Sequence, residues 1–112
     1  REPEIRSLRH VHHLVTPIEG RRVDGCHVLD LVLALHPTPA VLGVPAEAAR
    51  AFLRSAESFE RGWFAAPVGV IDENGNGTFV VALRSALLSA GRAWVFAGSG
   101  VVRGSEPDAE LA

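Results

Sequence analysis

Arg84 stands between Ala82 and Ala86 in the run Val80-Val81-Ala82-Leu83-Arg84-Ser85-Ala86. On a strand, Arg84 would share a face with the two alanines, while Val81, Leu83 and Leu87 take the other. Small neighbours leave room beside a guanidinium, whose planar fork grips a carboxylate through two hydrogen bonds at once. An exposed arginine on a solvent face fits the same pattern. A second candidate is Gly98-Ser99-Gly100. Its two glycines lack Cβ atoms, so the backbone there could approach an anion and present N–H groups to it; a plain turn reads the same way. His36 is followed by Pro37-Thr38-Pro39. Two fixed φ values stiffen that loop, which suits a preorganised donor to an anion or a proton carrier. A histidine capping a helix C-terminus is the alternative.

Two further clusters carry ligand chemistry. His10 and His12 would share one face of a strand, and His13, His27 and His36 are further imidazoles. A zinc site from these is weakly supported, because no Cys, Asp or Glu stands at a matching motif spacing. Glu106, Asp108 and Glu110 follow Ser105 at a helix start. The helix dipole favours carboxylates there, with Ser105 as cap. Their oxygens also suit a hard cation such as Mg²⁺, provided that other ligands come from elsewhere.

Composition bounds the function. All 11 basic residues are arginines, so no lysine base or Schiff-base nucleophile comes from this chain. The net charge of −2 lacks the basic field of a nucleic-acid binder. No apolar run reaches the ~18 residues that span a bilayer, so neither nucleic acid nor membrane is an expected partner. The single Cys26 excludes an internal disulfide and points to a reducing cytoplasm. The chain has no Met and opens on Arg1, so we expect a piece of something longer.

The elements that must position these residues follow from periodicity and punctuation. Residues 1–7 read as an irregular lead-in and 10–22 as extended, bent at Pro17. Apolar residues wrap most of the circumference of 27–35, which predicts a buried helix, capped by Asp24 and stopped by Pro37 and Pro39. A second helix begins at Pro45. It should pack through Ala48, Ala51, Phe52, Ser55 and Phe59, with Glu47 supporting Arg50 three residues on. From Pro67 the period becomes two. Strand 68–71, the turn 72–77 rich in Asn, Asp and Gly, and strand 79–87 predict a hairpin. A further strand over 92–97 extends it to a three-stranded meander, and Pro107 opens a last helix. The order is that of an α+β fold, antiparallel strands packed with helices.

The motifs His36-Pro37-Thr38-Pro39-Ala40, Gly43-Val44-Pro45, Arg61-Gly62-Trp63-Phe64, Pro67-Val68-Gly69, Ala82-Leu83-Arg84-Ser85-Ala86, Phe96-Ala97-Gly98 and Ser105-Glu106-Pro107 occur in this order. As a set they resemble the C-terminal part of the chorismate-utilising enzymes, nearest the isochorismate synthases, from about residue 8 to residue 112. The resemblance implies that residues 1–112 are a partial chorismate-binding domain, the C-terminal segment of a larger single domain. It implies that Arg84 binds a carboxylate of chorismate, that Gly98 offers its N–H, and that Ala40 and Val41 line the pocket. Phe64 takes a position where many relatives have tyrosine. His36 would lie near the ring and the metal, and is the catalytic candidate. Glu110 would open a Glu-x-x-Glu pair holding Mg²⁺, its second member beyond Ala112.

In that family water adds to the ring at C2 while the C4 hydroxyl leaves, protonated by a general acid. The lysine that activates water, the general acid and a further metal glutamate would lie upstream of this chain. Leu42, Ala66 and Ser99 stand where the family commonly has glycine, glycine and alanine; they would narrow the pocket, change the substrate or mark relaxed constraint. The expected function is therefore a segment of an Mg²⁺-dependent isochorismate synthase. Salicylate, anthranilate or aminodeoxychorismate synthase, or a non-catalytic chorismate-binding remnant, are the alternatives. An uncovered apolar face should associate with the missing N-terminal part of the same domain or with another copy.

Overall fold

The computed structural model describes residues 2–111. Its elements run β1 (Glu4–Ser7), β2 (His12–Val15), α1 (Val28–Leu35), α2 (Pro39–Leu42), α3 (Ala46–Ala56), β3 (Pro67–Ile71), β4 (Gly77–Val81), β5 (Ala86–Ser89), β6 (Arg92–Val95) and α4 (Pro107–Glu110). Helices and antiparallel strands are mixed along the chain, as the α+β reading requires. The strands form three separate two-stranded antiparallel sheets, β1–β2, β3–β4 and β5–β6.

The start of the chain corrects the sequence reading. Residues 4–7 are not irregular: β1 pairs with β2 from Glu4↔Val15 to Ser7↔His12. Ser7 and His12 close the pair, with His12 Nδ1 2.9 Å from Ser7 Oγ. Beyond Val15 the extended segment makes no further strand before α1. Helix α1 is capped by His27 and not by Asp24. Leu29 N–H donates to His27 Nδ1 at 3.2 Å, and His27 N–H donates to the Asp30 carboxylate at 2.8 Å. That reciprocal arrangement is a capping box, and it occupies His27 structurally.

Helix α1 is not buried, contrary to its all-apolar sequence. Leu33 is 76% and Leu35 72% exposed. The reason is that α1 has only marginal contact with any other element of this chain. The whole chain shares this openness. Its radius of gyration is 16.6 Å, against about 13 Å for a compact domain of this length. Its surface is 10,063 Å², against ~6,000 Å² for a folded monomer of this mass. Among the described residues only Ala65 is buried, at 6% exposure.

Pro37 and Pro39 do stop α1, but Pro39 also opens the short helix α2, since proline is well placed in a first turn. Pro45 sits just before α3, whose backbone begins at Ala46. The face that α3 turns inward is also different from expectation. Ala49, Arg50 and Leu53 are half-buried while Ala48, Ala51, Ser55 and Phe52 are exposed, Phe52 at 67%. The cause is α2, which packs on the Ala49 side; a Cβ placed on Gly43 would lie 3.0 Å from the Ala49 methyl. The Glu47–Arg50 ion pair does not form among the described residues.

The 72–77 turn joins β3 to β4 as the sequence demands. Asp72 Oδ1 accepts from Asn74 N–H at 2.9 Å and Asn76 N–H at 2.8 Å. Asn76 Nδ2 donates to Asp72 Oδ2 at 2.9 Å. These bonds to Asn76 hold the Asp72 carboxyl below its usual range. The predicted long strand 79–87 is broken: β4 ends at Val81 and β5 restarts at Ala86. The three-stranded meander is therefore two hairpins, joined through a corner at Ala82–Ser85. Helix α4 starts after Glu106, and Ser105 does not cap it. Ser105 Oγ instead accepts from Val102 N–H at 3.1 Å.

Candidate functional site

The broken strand creates the site. At the corner, Ala82 N–H donates to Ala66 O and Ala65 N–H to Ala82 O, both at 2.9 Å. On the far side, Phe96 N–H donates to Ser85 O at 3.1 Å. Arg84 lies between these two anchors with φ of 51°, a left-handed conformation that is uncommon for any residue but glycine. Alternation is lost there, so Arg84 does not share a strand face with Ala82 and Ala86. Its side chain is exposed, and its guanidinium donates no hydrogen bond to, and forms no ion pair with, a described residue.

Arg84 lines a cavity of about 540 Å³ with Ala40, Val41, Phe64 and Gly98. These segments are distant in sequence, and they are the substrate-contacting residues that the resemblance implied. The volume falls within the ~300–1,000 Å³ of small-molecule sites. Nothing lies within 4 Å of where a Cβ on Gly98 would point, so its backbone faces open space. His36 lies apart. It ends α1, its N–H donating to Val32 O at 2.9 Å, and it lines a neighbouring cavity of about 710 Å³. The two cavities share a wall that includes Val41, Arg61 and Phe64. Of the family departures, Leu42 and Ala66 border the larger cavity and Ser99 the smaller. Glu110, in α4, borders neither of these two.

The wall is built around a pairing, Glu57 with Arg61, that sequence reading did not foresee. Arg61 Nε donates to Glu57 Oε2 at 2.8 Å and Nη2 to Glu57 Oε1 at 2.5 Å. The third nitrogen, Nη1, donates to Val41 O at 2.7 Å. The Arg61 guanidinium carbon also sits 5.9 Å from the centroid of the Phe64 ring, within cation–π range. Phe64 stacks on Phe96 at 5.2 Å and 12°, and Phe59 meets Phe96 at 6.3 Å. The i, i+4 spacing of Glu57 and Arg61 was a legible signal, although it falls just past the end of α3.

The bond from Arg61 lowers the Glu57 carboxyl from its ordinary 4.5, and the same bond raises Arg61. A lowered carboxyl stabilises the fold fully above its unfolded value, and the contribution is lost as pH falls through the folded one. Glu57→Gln is therefore expected to cost about 1 kcal/mol at neutral pH and to flatten the loss of stability below pH 4.5. Denaturant melts of both proteins between neutral and acid pH check this; Asp72 acts in both and cancels. Parallel curves would mean that the pair contributes nothing.

Metal ligands do not converge. Among the described residues no three His, Cys, Asp or Glu side chains are placed to hold an ion. Glu110 alone cannot fill the about six oxygen positions of Mg²⁺. The described residues thus do not build the magnesium site. No single described helix is long and apolar enough to cross a membrane.

Comparison with known proteins identifies the family. A family model described as chorismate binding enzyme matches residues 1–112. The chain is 53% identical over 105 residues to the salicylate biosynthesis isochorismate synthase of Pseudomonas aeruginosa, covering 94% of this chain and 22% of that protein. It is 45% identical over 108 residues to isochorismate synthase MenF of Bacillus subtilis, covering 96% and 23%. It is 41% identical over 107 residues to the chloroplastic isochorismate synthase 2 of Arabidopsis thaliana, covering 95% and 19%. The chain thus spans about a fifth to a quarter of the length of these relatives.

Proposed function

The chain belongs to the chorismate binding enzyme family, and on that premise we propose that the protein carrying it converts chorismate to isochorismate, with Mg²⁺. The observation that carries this reading is one cavity on which Ala40, Val41, Phe64, Arg84 and Gly98 meet. Chorismate is a compact dianion. Arg84 offers one of its carboxylates a guanidinium that no described residue occupies, and a fork of this kind orients the carboxylate as well as holding it. Gly98 leaves room for the backbone to approach, and Phe64 supplies an apolar wall. The relatives named above support the reaction.

In this reading the segment grips and orients substrate. His36, in the adjoining cavity, is the candidate here for handling a proton near the ring. Proton transfers that need a lysine belong to the rest of the protein, since this chain has none. So do the magnesium ligands other than Glu110. The fold of the whole would be a single larger domain whose remaining part covers the apolar surface left open here, and the free, half-buried Cys26 favours a cytoplasmic setting. One relative is named for salicylate biosynthesis and others carry the name MenF. The shared step, and not one pathway, is what we assign.

The test is to incubate the whole protein with chorismate and Mg²⁺ and to resolve the products by NMR. Isochorismate is the expected product. Salicylate, an amino-substituted product or unreacted chorismate would overturn the assignment.

A further inference from the structure

Three charged side chains border the 540 Å³ cavity: Glu57, Arg61 and Arg84. Glu57 closes on Arg61 through both carboxylate oxygens, so the pair is neutral together and Arg84 is left as the unpaired charge. Arg61 also reaches across the cavity wall. Its Nη1 holds the carbonyl of Val41 in α2 at 2.7 Å, and its guanidinium lies against Phe64. Phe64 in turn stacks on Phe96, whose N–H is bonded to Ser85, the residue after Arg84. One side chain therefore links the Ala40–Val41 wall, the aromatic wall and, through the aromatic stack, the Arg84 corner.

We infer that Arg61 is a positioning residue for substrate: its fork, closed on Glu57 and on the Val41 carbonyl, sets the width of the pocket and keeps a second guanidinium from competing with Arg84 for a carboxylate. This rests on the reading of the cavity as the chorismate site. Two consequences distinguish it from plain structural support. Lysine keeps the charge and can still meet Glu57, but its ammonium lacks the planar fork that serves two Glu57 oxygens and Val41 O together. Arg61→Lys should therefore fold and yet misplace the wall. Glu57→Gln leaves Arg61 in place and unmasks its charge, so substrate should gain a second, non-productive carboxylate partner.

The experiment uses the whole protein and three measurements per variant: thermal melting, chorismate dissociation constant by calorimetry, and steady-state kinetics. For Arg61→Lys we expect melting lowered by no more than a few degrees, with Kd and KM raised about tenfold and kcat/KM lowered at least as much, since small displacements of positioning groups are costly. For Glu57→Gln we expect kcat to fall severalfold while Kd is unchanged or tighter. Wild-type Kd and KM in Arg61→Lys would overturn the inference. So would losses in both variants that merely follow a lowered melting temperature. A wild-type protein that binds chorismate without forming isochorismate would sink the proposed reaction alone, and the Kd values would then decide this inference. A wild-type protein that binds no chorismate would sink both.

Discussion

Arg84→Gly is expected to lower kcat/KM for chorismate about a hundred- to thousandfold in the whole protein while leaving its stability within about 1 kcal/mol of wild type. The first half follows from truncating one partner of a charged, hydrogen-bonded pair, which costs about 2–5 kcal/mol in comparable sites. The second half follows from the backbone. Arg84 is held at φ 51°, and such a conformation strains a side-chain-bearing residue by about 1–3 kcal/mol. Glycine removes that strain, and its greater freedom in the unfolded chain offsets part of the gain. Glycine is thus a cleaner probe than alanine, because it separates the guanidinium from the corner. Arg84→Lys should fall between, since an ammonium keeps the charge and loses the bidentate grip. If Arg84→Gly retained wild-type kcat/KM, Arg84 would be only the residue on which the strand turns, and the substrate's carboxylate would need another partner.

Gly69→Ala should destabilise the β3–β4 hairpin by about 3 kcal/mol, at the upper end of what overpacking usually costs. Gly69 pairs with Phe79 across the hairpin, and the ring lies over the glycine. A Cβ there would stand 2.2 Å from Thr78 O and 2.6 Å from Phe79 Cδ1. The ring could rotate, but the carbonyl belongs to the backbone and cannot move without breaking the ladder. Gly77→Ala is the instructive comparison. Its Cβ would meet the side-chain atoms Phe79 Cε2 at 2.8 Å and Val28 Cγ2 at 2.9 Å, which yield more readily, and the nearest backbone atom, Val70 O, stands off at 3.3 Å, so its penalty should be smaller. The hairpin leads directly into the bonds between Ala82 and Ala65–Ala66, so activity in Gly69→Ala should fall with the folded fraction. Thermal melts of the two variants decide the matter. A Gly69→Ala protein melting with wild type would contradict the Gly69↔Phe79 register.

Local chemistry accounts for what could be read in advance. Two prolines ended α1, Pro45 announced α3, and the Asn- and Gly-rich stretch closed β3 onto β4, because each acts through its own φ or its own side-chain bonds. The motifs from His36 to Glu106 placed the chain in its family. Short-range signals also misled. Val80 to Leu87 alternates well enough to be one strand, yet the bonds of Ala82 to Ala66 and of Ser85 to Phe96 pull its two halves in different directions. The apolar stripe on α3 that included Phe52 looked like the packing face, and α2 instead selected the face of Ala49 and Leu53. Neither competitor is visible in a window of a few residues.

By itself, then, the sequence determined α1, α3 and the β3–β4 hairpin, the absence of lysine chemistry and the residue types available to grip a carboxylate. The tertiary structure decided where those residues meet. It turned Arg84 at a left-handed corner, gathered Ala40, Val41, Phe64 and Gly98 around it, set His36 in the next cavity, and revealed Arg61 as the link between walls. The physical reason is that a cavity is made by backbone bonds and ring contacts between segments far apart in sequence, whereas helices, turns and caps are settled by neighbours.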